Sequence, residues 1–153
     1  MKRIMLNTNV FCRPFDDQTD NAIKNESIFA ERILELAENK KVEVITSDIL
    51  YAELSLISDQ CKRDIIFNEI ESISQERAKI SGYIHNLAEE LAEFVGDYSD
   101  SLHISFAVSS NCDCLVTCDR HLIKIRAKIE RFLISKNAEL GISTPEEFIE
   151  SFA

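Results

Sequence analysis

Tryptophan is absent from this sequence, glycine occurs 3 times and proline 2 times in 153 residues. So little glycine and proline excludes collagen-like and low-complexity chains. Without Trp, aromatic cages and base-stacking platforms lose their strongest member. Basic residues are scarce as well: 17 against 27 acidic, for a net charge of −10. Such a chain is no general nucleic-acid coat, because affinity for phosphates comes from Lys and Arg. A nuclease stays open, since carboxylates can serve as cation ligands. No stretch approaches about 18 consecutive apolar residues, so no membrane span is expected. The N-terminus lacks the apolar core, roughly 7–15 residues long, of a secretory signal. Five cysteines give no paired framework, which fits a reducing, cytoplasmic setting.

What is present reads as one globular domain over residues 1–153. Apolar residues make up 45% and charged residues 29%, and a chain of this length buries roughly 68–70% of its unfolded surface. The charge is uneven. Residues 1–100 carry 11 basic and 20 acidic side chains, whereas residues 120–137 carry 6 basic and 1 acidic. A positive strip therefore sits inside a negative protein.

Short apolar runs alternate with helical periodicity. Ile4–Leu6, Val42–Ile45 and Leu115–Cys118 read as buried strands, with Ile142 in a last extended piece. Residues 26–39, 48–57, 63–70, 76–95, 99–108 and 120–136 read as helices. A further helix opens at Thr144-Pro145, with proline at its first position. Strands alternating with helices predict an α/β fold with a central parallel sheet and helices on both faces. In such folds ligands bind beyond the carboxyl ends of the strands. That rule points to Asn7 and Asp119, which end the first and third expected strands.

Two more acids interrupt or head apolar helical stripes. Glu53 lies between Ile49 and Ile57 at i±4, which turns its carboxylate inward. Burial of that carboxylate calls for a partner; a helix rotated to solvate it, or an arginine pair, would serve equally. Asp100 begins the stripe Asp100, Ile104, Ala107, Val108. Alternatively it is a first-turn acid favoured by the helix dipole, with Ser99 as cap. Asp119 is open to the reading of a helix cap. Gathered at one sheet edge, such acids repel and need a cation, and hard oxygen ligands select Mg²⁺ or Mn²⁺. The pattern points to metal-assisted phosphoester hydrolysis.

These residues carry a family resemblance. Met5-Leu6-Asn7-Thr8-Asn9-Val10-Phe11 resembles the opening strand motif of PIN-domain proteins. Tyr51-Ala52-Glu53-Leu54 matches the helical Glu. Asp100 in Asp-x-x-His-Ile-x-x-Ala matches the second Asp, and Leu115-Val116-Thr117-Cys118-Asp119 the later strand ending. Ser143-Thr144-Pro145-Glu146-Glu147-Phe148 resembles the close of the domain. The resemblance implies a three-layer α/β/α PIN-like fold and a Mg²⁺- or Mn²⁺-dependent endoribonuclease similar to VapC toxins. It implies an RNA substrate, a small antitoxin partner and a homodimer. By the same resemblance Asn7, Glu53, Asp100 and Asp119 form the catalytic metal site, with Thr117 in support.

Position 7 departs from the motif, which has Asp there. Asn offers one neutral carbonyl oxygen, so the expected activity is impaired, and a non-catalytic PIN-fold module binding RNA or antitoxin is the rival reading. An Asp-nucleophile phosphatase is disfavoured for the same reason. Arg120, Lys124, Lys128 and Arg131 recur at helical spacing, either as a solvated face or as a track for the RNA backbone. Arg13 would meet a substrate phosphate or a neighbouring carboxylate. Cys112, Cys114 and Cys118 read as small buried hydrophobes. Positions 114 and 118 on one strand would stand about 13 Å apart, too far for Zn–S bonds of about 2.3 Å. His103 and His121 read as packing or surface residues.

Overall fold

The computed structural model describes residues 1–152. Five strands form one all-parallel sheet in the order β3-β2-β1-β4-β5. They are β1 (Arg3–Leu6), β2 (Glu43–Ser47), β3 (Ser74–Ala78), β4 (Cys114–Val116) and β5 (Gly141–Ser143). The helices are α1 (Thr8–Cys12), α2 (Asn21–Glu38), α3 (Asp48–Leu54), α4 (Gln60–Ile73), α5 (Gly82–Val95), α6 (Tyr98–Ser109), α7 (Arg120–Ser135) and α8 (Pro145–Phe152). A 3₁₀ turn, Arg13–Phe15, follows α1.

Strand alternation divides the apolar residues between two cores. Ile4, Leu6, Val44, Cys114 and Val116 face one side, where α1, α2, α3, α4 and α8 pack. Met5, Ile45, Leu115 and Ile142 face the other, beneath α5, α6 and α7. The three-layer α/β/α arrangement expected from sequence is therefore present.

One expected element is wrong. Residues 76–95 do not form one long helix; β3 occupies Ser74–Ala78 and α5 begins at Gly82. The segment Gln75-Glu76-Arg77 is polar because β3 is an edge strand with an exposed middle. Tertiary bonds override its helical propensity. Glu76 pairs with Arg3 at 2.8 Å, Arg77 with Asp48 at 3.0 Å, and the Thr46 hydroxyl lies 3.0 Å from Ser74 Oγ. Ser81 Oγ then caps α5 by accepting from the backbone N–H of Ile84. The missed strand makes the sequence's third strand the fourth in the chain. It also ends at Val116, so Cys118 lies beyond it. Helix α3 stops at Leu54, short of Ile57, and Asp97, not Ser99, caps α6. The short helix α1 was not expected.

Helix α8 is fastened by a reciprocal cap. The Glu147 backbone N–H donates to Thr144 Oγ1, and the Thr144 N–H donates to Glu147 Oε1. Arg126 adds a two-pronged bond, Nη1 to Oε1 at 2.8 Å and Nη2 to Oε2 at 3.0 Å. First the Arg126 hydrogen bond, then that of the Thr144 backbone, lowers the Glu147 pKa to about 2. The stabilisation is complete above the ordinary carboxylate range and fades as the pH falls toward about 2. Both groups are partly exposed, so solvent screening limits the effect. Glu147→Gln is expected to cost about 1 kcal/mol at pH 7. In urea titrations repeated down the pH scale, the difference from the parent should shrink below about pH 4.5.

Candidate active site

The carboxyl edge of the sheet gathers the polar residues singled out by sequence. Asn7 ends β1 and precedes α1, and its backbone N–H donates to Val116 O at 2.9 Å, tying β1 to the end of β4. Its buried side chain donates from Nδ2 to Thr117 Oγ1 at 2.9 Å. The same Thr117 oxygen accepts from the Asp119 backbone N–H at 3.0 Å. Asn9 Oδ1 accepts from the Cys118 N–H at 3.0 Å. The completely buried Thr117 hydroxyl thus joins position 7 to Asp119.

Asp119 caps α7 through one oxygen: Oδ1 accepts from the N–H groups of His121 and Leu122. The capping alternative is therefore correct as a local fact, and Oδ2 is still left without a protein donor among the described residues. Asp100 lies in the first turn of α6, as the dipole argument allows. Its carboxylate accepts no hydrogen bond among the described residues. Burial, then the charges of Asp97 and Asp119, push its pKa up to about 6; Glu53 adds to the rise and His103 opposes it.

Glu53 is half-buried on α3 and pairs with a histidine, not an arginine. Its Oε1 accepts from Thr8 Oγ1 and lies against His103 Nε2, each at 2.5 Å. Burial works to raise the Glu53 pKa, but the hydrogen bond and charge of His103, with Thr8, outweigh it and hold it below the usual range. His103 is the group that sequence reasoning undervalued: it is fully buried and faces the site. Its signal was spacing, since Asp100 and His103 stand at i and i+3 on one helical face. His121, by contrast, is an exposed surface residue, as one of the two expected readings had it, with Nε2 2.9 Å from Val95 O.

The donor set suits a hard cation in its chemistry, with oxygen atoms on Glu53, Asp100 and Asp119 unclaimed by the protein. It is not a finished cage. Among the described residues, no three His, Cys, Asp or Glu side chains stand together as a metal-holding group. Position 7 contributes a neutral amide to this edge and not a further carboxylate.

The expected substrate-binding residues divide. Arg120 and Lys124 border a cleft of about 310 Å³ between α2, α7 and the start of α8. Arg120 also lines a cleft of about 380 Å³ that includes Asp119 and Arg13. Arg13 meets carboxylates, Asp16 at 2.9 Å and Glu26 at 3.7 Å. Lys128 turns away, its ammonium 5.1 Å from the centre of the Phe94 ring. Cys112, Cys114 and Cys118 are buried free thiols, and burial pushes Cys112 up to about 12. A separate cleft of about 960 Å³ lies at the opposite edge, around Asp113 and Leu140.

The chain is similar to VapBC2 from Rickettsia felis, whose crystal structure was solved bound to a DNA fragment from their promoter. The TM-score is 0.57 at 19% identity, covering 93% of this chain and 98% of the other. That likeness speaks for the fold alone. No curated protein matches the sequence. The PIN domain family model matches residues 3–121. Because that span runs from β1 to the first turn of α7, and so takes in every acid gathered at this edge, the chain belongs to the PIN-domain family.

Proposed function

We propose that this chain is a divalent-cation-dependent endoribonuclease of the toxin type, weakened by Asn7. The observation that carries the reading is the PIN-family match over residues 3–121 together with the sheet edge where Thr117 ties Asn7 to Asp119, and the rise of Asp100 to about 6 fits the same crowding. Such crowding is relieved by a cation. Mg²⁺ or Mn²⁺ would be held by Glu53, Asp100 and Asp119, with Asn7 adding a carbonyl oxygen. Bound there, the ion would polarise a phosphoryl oxygen and supply an activated water.

The chain's own residues do the remaining work. Thr117 orients Asn7 and the Asp119 backbone through one hydroxyl. Arg120 lines the cleft that holds Asp119 and, with Lys124, the neighbouring cleft toward α8, and both would meet the RNA backbone through their positive charge. Arg13, already matched by Asp16 and Glu26, would shape the cleft rather than grip a phosphate. A small antitoxin as partner, a homodimer as the assembled form and action in the cytoplasm complete the proposal; the solved relative is itself a VapBC complex on promoter DNA. The second reading is a pseudo-nuclease that binds RNA or antitoxin without cutting. It draws on Asn7 and on the lack of a three-ligand group among the described residues.

Cleavage separates these readings, and two further outcomes test the residues assigned. Asn7→Asp would reverse the hydrogen bond to Thr117, since a carboxylate accepts where the amide donates. It would also add the missing anionic oxygen, and is expected to raise Mn²⁺-dependent RNA cleavage at least about ten-fold. No gain on a fluorogenic RNA would remove position 7 from the site.

Charge reversal at Lys124 is expected to flatten the salt dependence of RNA binding by about 0.7 in the log–log slope per lost phosphate contact. Lys128→Glu should change it less, because that side chain covers Phe94. Equal slopes for the two variants would contradict the assignment.

Metal-free stability should record the crowding. Between about pH 4 and 6 the folded chain keeps a proton on Asp100 that the unfolded chain releases, so stability falls as the pH rises through that window. Asp100→Asn is expected to melt a few degrees higher at pH 7, with the gain gone near pH 4. A pH-independent difference would speak against the shared field.

A further inference from the structure

Both protein contacts to the Glu53 carboxylate end on the same oxygen. Thr8 Oγ1 and His103 Nε2 each lie 2.5 Å from Oε1. The two come from opposite layers. Thr8 opens α1 directly after β1, and His103 sits in the second turn of α6. His103 is fully buried, and its Nδ1 has no hydrogen-bond partner among the described residues. The ring's single polar contact in the protein is therefore with Glu53. A buried imidazole with one unsatisfied nitrogen is an expensive way to fill a core position. An apolar side chain would fill it without that cost. What histidine adds at position 103 is its grip on one carboxylate oxygen.

We propose that His103, seconded by Thr8, is a positioning residue that holds Glu53 by Oε1 and leaves Oε2 as the oxygen presented to the cation. The proposal rests on the reading of Glu53 as a ligand given above. Its physical basis is preorganisation. Glu53 stands next to the last residue of a seven-residue helix on a side chain with several rotatable bonds. Two donors fixed by separate layers remove that freedom before any ion arrives. Partners that orient metal ligands in this way commonly change affinity by one to two orders of magnitude. A histidine that only braced α6 against α3 would lower the melting temperature on removal and leave the affinity of the folded protein alone.

The test measures Mn²⁺ affinity of the full chain carrying Asn7→Asp by electron paramagnetic resonance of the free ion, with melting temperature recorded alongside. Added His103→Leu is expected to weaken binding about ten-fold, and Thr8→Val by a smaller factor. His103→Gln, which returns an N–H donor toward Oε1, should recover most of the loss. Folded His103→Leu that binds Mn²⁺ like its parent would overturn the proposal, as would His103→Gln binding no better than His103→Leu. Should His103→Leu fail to fold, Thr8→Val decides, and an unchanged affinity there overturns the role. A parent that binds no Mn²⁺ defeats the nuclease reading itself and the positioning role with it. A parent that binds equally with and without His103 defeats the positioning role alone.

Discussion

Two apolar cores hold helices whose ends bring negative charge together at the carboxyl edge of a parallel sheet, and that crowding is the constraint on the candidate site. Asp100 feels it most, with burial and three neighbouring carboxylates all disfavouring its ionised form. The protein answers only in part. Glu53 is steadied by His103 and Thr8, and Asp119 spends one oxygen capping α7. Asp100 is left with nothing but solvent and the opposing influence of His103. The proposed cation would relieve this crowding, and Asn7 in place of the motif's Asp already lessens the repulsion by one charge.

Sheet topology converts this local chemistry into a single place. The central strands β1 and β4 end side by side, and the Asn7 N–H to Val116 O bond locks their ends together. Thr117 then needs only its hydroxyl to link position 7 with Asp119. Glu53 arrives from β2 through α3, and Asp100 from α6 on the other face of the sheet. Two independent apolar cores hold these helices, so neither side of the site depends on the acids for its stability.

Much of this was legible in the residues themselves. Short apolar runs ending in Asn7 and in Thr117-Cys118-Asp119 marked the strand ends, and the parallel-sheet rule then pointed to the edge where the candidate residues lie. Glu53 stood out because its position on an apolar stripe demanded a partner. The partner was not legible, because position 103 is fifty residues away and its contact forms only once α6 crosses to α3. Strand β3 hid for a different reason. Its exposed edge carries Gln75, Glu76 and Arg77, which have no strand signature of their own and are held by Arg3 and Asp48. The basic helix was only half readable. Spacing put Arg120, Lys124 and Lys128 near one face, but Phe94 on the neighbouring helix draws Lys128 aside.

The central claim is that three separated carboxylates share one divalent ion. Anomalous diffraction at the manganese edge, from crystals of the Asn7→Asp chain soaked in Mn²⁺, addresses it most directly. The account predicts a peak bounded by Glu53 Oε2, Asp100 and Asp119, with ligand distances of about 2.2 Å. A peak elsewhere on the surface, with these three carboxylates dispersed around water, would contradict it.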